Sequence, residues 1–252
     1  MAEREYASKC IDSYTLLAGD ERYKEDAFLW FRLAQAQMEI VDDLEAARNA
    51  IVRAKTLLDT DPNFPAKSQY RMVIPRMEAF FRWQEYEGLP ATEYQNVEAS
   101  GNVRAVLLGV IADTMAISDL EIEPGDTRGS FDPGLERAKT LNNWLDFSAK
   151  FIAYGGSWEE LATIGVDEKR FRDALTEFEE LCGERMSDLP WASHTLTLSY
   201  DLLGDGRAGA FAKSTLSALE AGLGIDADDM MWLEMVRKDA TNILEKYGEN
   251  PG

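Results

Sequence analysis

Residues 27–58, AFLWFRLAQAQMEIVDDLEAARNAIVRAKTLL, decide the fold class. Ala27, Trp30, Phe31, Ala34, Met38 and Val41 recur in steps of three and four, which places them along one stripe of an amphipathic α-helix. Leu44, Ala47, Ile51, Ala54 and Leu58 repeat that stripe, and Asp42-Asp43 between the two suits a turn joining antiparallel helices. Pro62 and Pro65 then close the pair, because proline has no N–H to continue a helix.

The same period extends outward through the chain. Phe171, Ala174, Leu175, Phe178, Leu181 and Cys182 form a stripe after Asp167, and Ser157 with Glu160 has the spacing of a capping box. Leu233, Val236, Ala240, Ile243, Leu244 and Tyr247 form a last stripe. Asp226, Asp228 and Asp229 stand before it, where negative charge favours a helix N-terminus, and Gly248 ends it. The stretch Val103–Ile117 is apolar on every side, which predicts a helix surrounded by others. Only Thr195–Tyr200 alternates with a period of two. The class that follows is all-α, about ten helices stacked as antiparallel pairs. Glu121–Pro133, EIEPGDTRGSFDP, concentrates Gly, Pro and Asp and reads as a loop. It divides an N-terminal helical half, 1–120, from a C-terminal half, 134–252.

With 252 residues, 45% of them hydrophobic and 29% charged, the chain can build a sizeable core, and disordered, collagenous and disulfide-scaffold classes are excluded. Acidic residues number 46 against 26 basic, a net charge of -20 that repels polyanions, so no direct nucleic-acid contact is expected. Cys10 and Cys182 make no CxxC pattern, which suits a reducing cytoplasm. MAEREYASKC lacks the charged-then-apolar layout of a signal peptide. The most apolar stretch, Val103–Ala112, is far shorter than the ~20 residues that span a bilayer, so no membrane association is expected.

The pair at 27–60 resembles a tetratricopeptide repeat, a helix-turn-helix unit of about 34 residues with small and large apolar residues at set positions. Phe31 stands where the motif usually carries Trp, Ala34 and Met38 fill the first helix, and Ala47, Ile51, Ala54 and Leu57 follow the second helix's small-large pattern. Gln35 departs at a small position, and Pro62 falls a few residues late. The match covers about one seventh of the chain. Ser199–Gly222, SYDLLGDGRAGAFAKSTLSALEAG, has the look of the same turn in a looser register. The resemblance implies an adaptor that binds a partner protein on a concave face, here carrying Leu29, Arg32, Leu33, Ala36 and Glu39. Arg32 fits one position of the carboxylate-clamp versions and Ala36 misses another, which puts a C-terminal-carboxylate ligand in doubt.

Residues with chemistry are few. Gly204, Gly206 and Gly209 spell GxGxxG, but the preceding TLTLSY is too polar for a buried parallel strand, so a turn between helices is the better reading. His194 is the single histidine, which rules out catalysis by a His pair and the two E-x-x-H motifs of a di-iron bundle. Asp113 falls inside the apolar stripe of Val103, Val106, Val110 and Ile117, which predicts a buried, hydrogen-bonded carboxylate. Asn142 sits likewise among Leu135, Ala138, Leu145 and Ala149. The acidic segment 121–132 lacks the Gly and Glu positions of an EF-hand, so no metal site is assigned, and no cofactor is expected. Phe80, Phe81, Trp83 and Tyr86 follow Pro75 with Arg71, Arg76 and Arg82 interleaved, a mixture common at protein interfaces.

These readings converge on an adaptor or regulatory scaffold that binds another protein, a basic one given the charge. Leu29, Arg32, Leu33, Ala36, Glu39, Arg71, Arg76 and Arg82 form the expected contact face. An all-helical enzyme with a cavity between the halves, using Asp113, Asn142 and His194, is the alternative, and an acidic DNA mimic is a third.

Overall fold

The computed structural model describes residues 2–41, 43–60, 68–87, 97–121, 132–183, 189–222 and 230–247. Among them are eleven helices and no strand. They are α1 (Ala2–Ala18), α2 (Ala27–Val41), α3 (Leu44–Leu58), α4 (Tyr70–Glu87), α5 (Val97–Ser118), α6 (Pro133–Ala153), α7 (Trp158–Ala162), α8 (Glu168–Cys182), α9 (Pro190–Leu202), α10 (Arg207–Glu220) and α11 (Met230–Lys246). Two compact units divide the chain: Met1–Gly88 with Ala116–Glu136, and Leu89–Met115 with Arg137–Gly252. This interleaved division differs from a single cut at 121–133, and residues 122–131 of that segment lie outside the described residues. So do Asp226, Asp228, Asp229 and Gly248.

In the first unit α1 packs on α2, α2 on α3 and α3 on α4, so helices adjacent in sequence are adjacent in space. The Asp43 side chain starts α3 by accepting from the Ala46 N–H at 3.0 Å, which satisfies one of the donors that a helix N-terminus leaves open. Phe31, Ala34, Ile51, Ala54, Leu57, Ile74 and Phe81 form the core. Tyr70 closes one side of it edge-on against Phe28 and Phe31, at 5.3 and 5.8 Å between ring centroids. Fully burying a side chain such as Ile51 contributes about 1.5–3 kcal/mol, so this packing holds the helix pair where local propensity could not. Pro75 sits inside α4 and cannot donate to the Arg71 carbonyl.

In the second unit every residue from Trp144 to Phe151 is buried, and α6 is therefore its central helix. Trp144 and Trp158 meet Phe171 of α8 edge-on, at 6.0 and 5.5 Å. Ser157 and Asp167 cap α7 and α8, accepting from the N–H groups of Glu160 and Arg170 at 3.2 and 2.7 Å. α9 packs against α8, α10 and α11. The GxGxxG segment is a turn between helices: Gly204 ends α9 with φ of 65°, a left-handed conformation that side-chain-bearing residues avoid, and α10 begins at Arg207.

The expectation that Val103–Ile117 is surrounded by other helices is corrected. Leu107, Val110, Ile111 and Thr114 are buried, but Ala105, Asp113 and Ala116 are exposed along the opposite arc of α5. Small residues score as apolar without demanding burial, so the outward face of this helix reads as core.

Candidate functional site

The eight residues expected to form one contact face do not share one. Leu29, Leu33 and Ala36 are buried, a correction with a simple cause: α2 lies between α1 and α3 and is covered on both sides. Arg32 is exposed and donates to Gln35 Oε1 at 2.9 Å. The Glu39 side chain lies outside the described residues. Arg71 donates to Asp59 and to the Leu58 carbonyl at 2.9 and 3.1 Å, and Arg82 lies 3.7 Å from Glu78. Arg76 is structural. Its guanidinium donates to the Glu136 backbone carbonyl at 2.9 Å and to the Glu136 carboxylate at 2.5 Å, and burial pushes its pKa down against the opposing pull of that carboxylate.

Sequence reasoning missed a solvent-facing stripe on α3. Leu44 and Val52 are 44% and 45% exposed, and with Arg48 between them and Lys55 beyond they follow helical spacing along the outer face of the first unit. Arg48 pairs with Glu85, and Lys55 with Glu78 at 2.6 Å. The stripe runs into a cleft of about 370 Å³, where Lys55, Leu58, Arg71, Pro75 and Ile117 line the wall and Leu120 stands 39% exposed. Leu44 shares the three-and-four spacing of the buried Ala47, Ile51 and Ala54, so period alone assigns it to the core.

Of the three candidate polar residues in the second unit, two reach its helical core. Asn142 Oδ1 accepts from Thr195 Oγ1 at 2.7 Å, and the neighbouring His194 is buried with Nε2 3.1 Å from Asp239 Oδ2. Asp113 is exposed, which corrects its expected burial: the covered side of α5 runs through Leu107, Ile111 and Thr114, roughly a quarter-turn from the stripe that would have enclosed it.

Asp239 lines a cleft of about 360 Å³ formed by the C-terminal part of α6, by α9 and by α11. Two lysines border it. Lys150 is held by Asp146 at 2.9 Å, both side chains nearly buried, and Lys246 by Asp201 at 2.6 Å, an ion pair that raises the lysine's pKa. The buried pair was legible in principle, because WLDFSAKF sets an acid and a base four residues apart within an apolar run. On the far side of α9, the Tyr200 hydroxyl donates to Glu179 while Arg207 lies 4.0 Å above the Tyr200 ring. Burial first, and then the Glu179 carboxylate, push the phenol's pKa upward. Burial likewise pushes the Cys182 thiol up to about 11, so this free cysteine is a packing residue.

Among the described residues no group of three His, Cys, Asp or Glu side chains is placed to hold a metal ion, and no helix is long and apolar enough to cross a membrane. No protein-family model matches this chain, and neither a curated protein nor a solved structure matches it. Among the described residues the structure is all-helical, with neighbouring helices packed together.

Proposed function

We propose that this chain is an adaptor or scaffold that binds a basic partner protein through the helical surface of its first unit, in the manner its tetratricopeptide-like pair implies. The observation that carries the reading is the α3 stripe. Leu44 and Val52 face water at helical spacing beside Arg48, and the stripe leads to the cleft bordered by Leu120. Large apolar side chains set among ion pairs are the composition of an interface core with a polar rim. A net charge of -20 steers a basic partner toward the chain, while the apolar stripe supplies the affinity once contact is made. The free thiols of Cys10 and Cys182 suit a reducing compartment such as the cytoplasm.

The test starts from the protein that co-purifies with the full chain from its native organism, identified by mass spectrometry. Its affinity is then measured against wild type, Val52→Asp and Leu120→Asp across a salt series. Both variants should weaken binding at least about tenfold and leave the thermal melt unchanged, because both side chains already face solvent. Wild-type affinity in both would move the interface elsewhere. Binding insensitive to salt would remove charge from the explanation.

A further inference from the structure

We infer that the second unit holds a binding site for a small monocation, an ammonium or guanidinium group carried on an apolar body about the size of a phenylethyl group, in the cleft between α6, α9 and α11. The inference stands apart from partner binding by the first unit. At about 360 Å³ the cleft lies at the lower end of small-ligand pockets, and a helix ~10 Å across would not enter it. Ile152, Ala153, Leu198, Leu202 and Met235 give it apolar walls, and a thioether such as Met235 adapts well to an aromatic ring.

Charge selects the ligand. Lys150 and Lys246 border the cleft, but each already has a carboxylate, Asp146 at 2.9 Å and Asp201 at 2.6 Å. Asp239 is the remaining anion at the cleft, and the imidazole of His194 stands 3.1 Å from its Oδ2. A carboxylate cannot donate, so His194 Nε2–H points at Asp239 Oδ2 and holds the side chain in one orientation without needing a charge to do so. Asp201 and Asp239 line the cleft with Lys150 and Lys246, and because Asp146 holds Lys150 from outside that lining, Asp239 is the carboxylate left without a lysine. An entering cation completes the set, whereas an anion would meet Asp239 with no lysine unclaimed. Asp239 is partly exposed, so a ligand can reach it, and the buried His194 behind it is out of a ligand's way.

The experiment uses three probes that share one ring: 2-phenylethylammonium, phenylalanine and 3-phenylpropanoate. Each is titrated into the full chain by calorimetry at about pH 8, where the amine probe stays protonated. Occupancy is followed in parallel by the ring signals of His194, which is the single histidine and therefore gives an unambiguous NMR reporter. The amine should bind and shift those signals, and the zwitterion and the anion should bind at least about tenfold more weakly. Asp239→Asn keeps an acceptor for His194, so the fold should persist, while amine affinity falls about ten- to a hundredfold. Asp239→Glu should retain most of the binding. Ala153→Phe should block the cleft to the amine with the melt retained. No saturable binding at millimolar amine, equal binding of the three probes, or an amine affinity unmoved by Asp239→Asn would each overturn the assignment. Tighter binding of phenylalanine than of the amine would do the same, since it would mean the lysines select the ligand.

Discussion

The helices α2 and α9 are both covered on nearly every side, and they fill their surroundings in opposite ways. α2 does so with Leu29, Phe31, Leu33, Ala34 and Ala36, and Arg32 is its one exposed side chain among the described residues of known burial. α9 buries Ser193, His194, Thr195, Thr197 and Ser199 beside Leu196 and Tyr200. The hydroxyls are tolerated because a helix supplies acceptors locally. Ser193 donates to the Pro190 carbonyl at 3.2 Å and Thr197 to the Ser193 carbonyl at 2.8 Å, while Thr215 of α10 donates to Ser193 Oγ at 3.0 Å. Ser199 Oγ is the exception, buried without a hydrogen-bond partner. Burial of a helix is thus set by how many neighbours it has, and its apolar content is a weaker guide.

The largest effect that can break this contrast is a charge placed in the apolar member of the pair. Leu33→Asp would bury a carboxylate in a core of Phe31, Ala34 and Ile51. A loss of about 3–5 kcal/mol is expected, enough to unfold the first unit at room temperature. Chemical denaturation monitored by circular dichroism reads it directly. A variant that melts like wild type would put Leu33 on the surface and restore it as a contact residue.

That substitution also marks how far the sequence could be read. The helical class, the cap at Asp167, the Ser157–Glu160 box and the turn at Gly204 were all legible, because each depends on chemistry local to a few residues. Which side of a helix is covered depends on neighbours distant in sequence, and there period misleads. Leu44 has the spacing of a core residue and lies exposed, whereas Leu33 falls off the main stripe and lies buried. Of the candidate polar residues, Asn142 and His194 were traceable as polar groups in packed segments. Their partners Thr195 and Asp239 were not, since nothing in a linear pattern pairs residues 45 or 53 positions apart. The Asp146–Lys150 pair was visible as a spacing, yet an acid and a base four apart usually mark a solvated face.

A smaller change sharpens the other side of the comparison. Thr197→Val removes a buried hydroxyl from α9 while keeping its shape. The Ser193 carbonyl still receives the helical N–H, and Thr215 loses only a 3.4 Å contact to Thr197 Oγ1 while its single hydroxyl proton keeps the Phe211 carbonyl and Ser193 Oγ as acceptors, so no polar group is stranded. The cost should stay within about 1 kcal/mol, because the penalty of deleting a hydrogen bond lies mostly in the partner left unsatisfied. A loss of several kcal/mol would show that the hydroxyl chain acts as one cooperative network.

The smallest effect is expected at Asp113, where the sequence and the structure disagree most directly. A carboxylate enclosed by the Val103, Val106, Val110 and Ile117 stripe would be a liability whose removal exposes a stranded partner. On the exposed arc of α5, which also carries Ala105 and Ala116, the same residue faces solvent. Surface charge pairs contribute about 0–1 kcal/mol, and alanine is the better helix former by a few tenths. The two terms nearly offset. Asp113→Ala should therefore shift the urea midpoint by an amount equivalent to no more than about 0.5 kcal/mol in either direction. A loss of 1 kcal/mol or more, about what a stranded buried partner costs, would turn α5 by roughly a quarter of its circumference and return Asp113 to the interior.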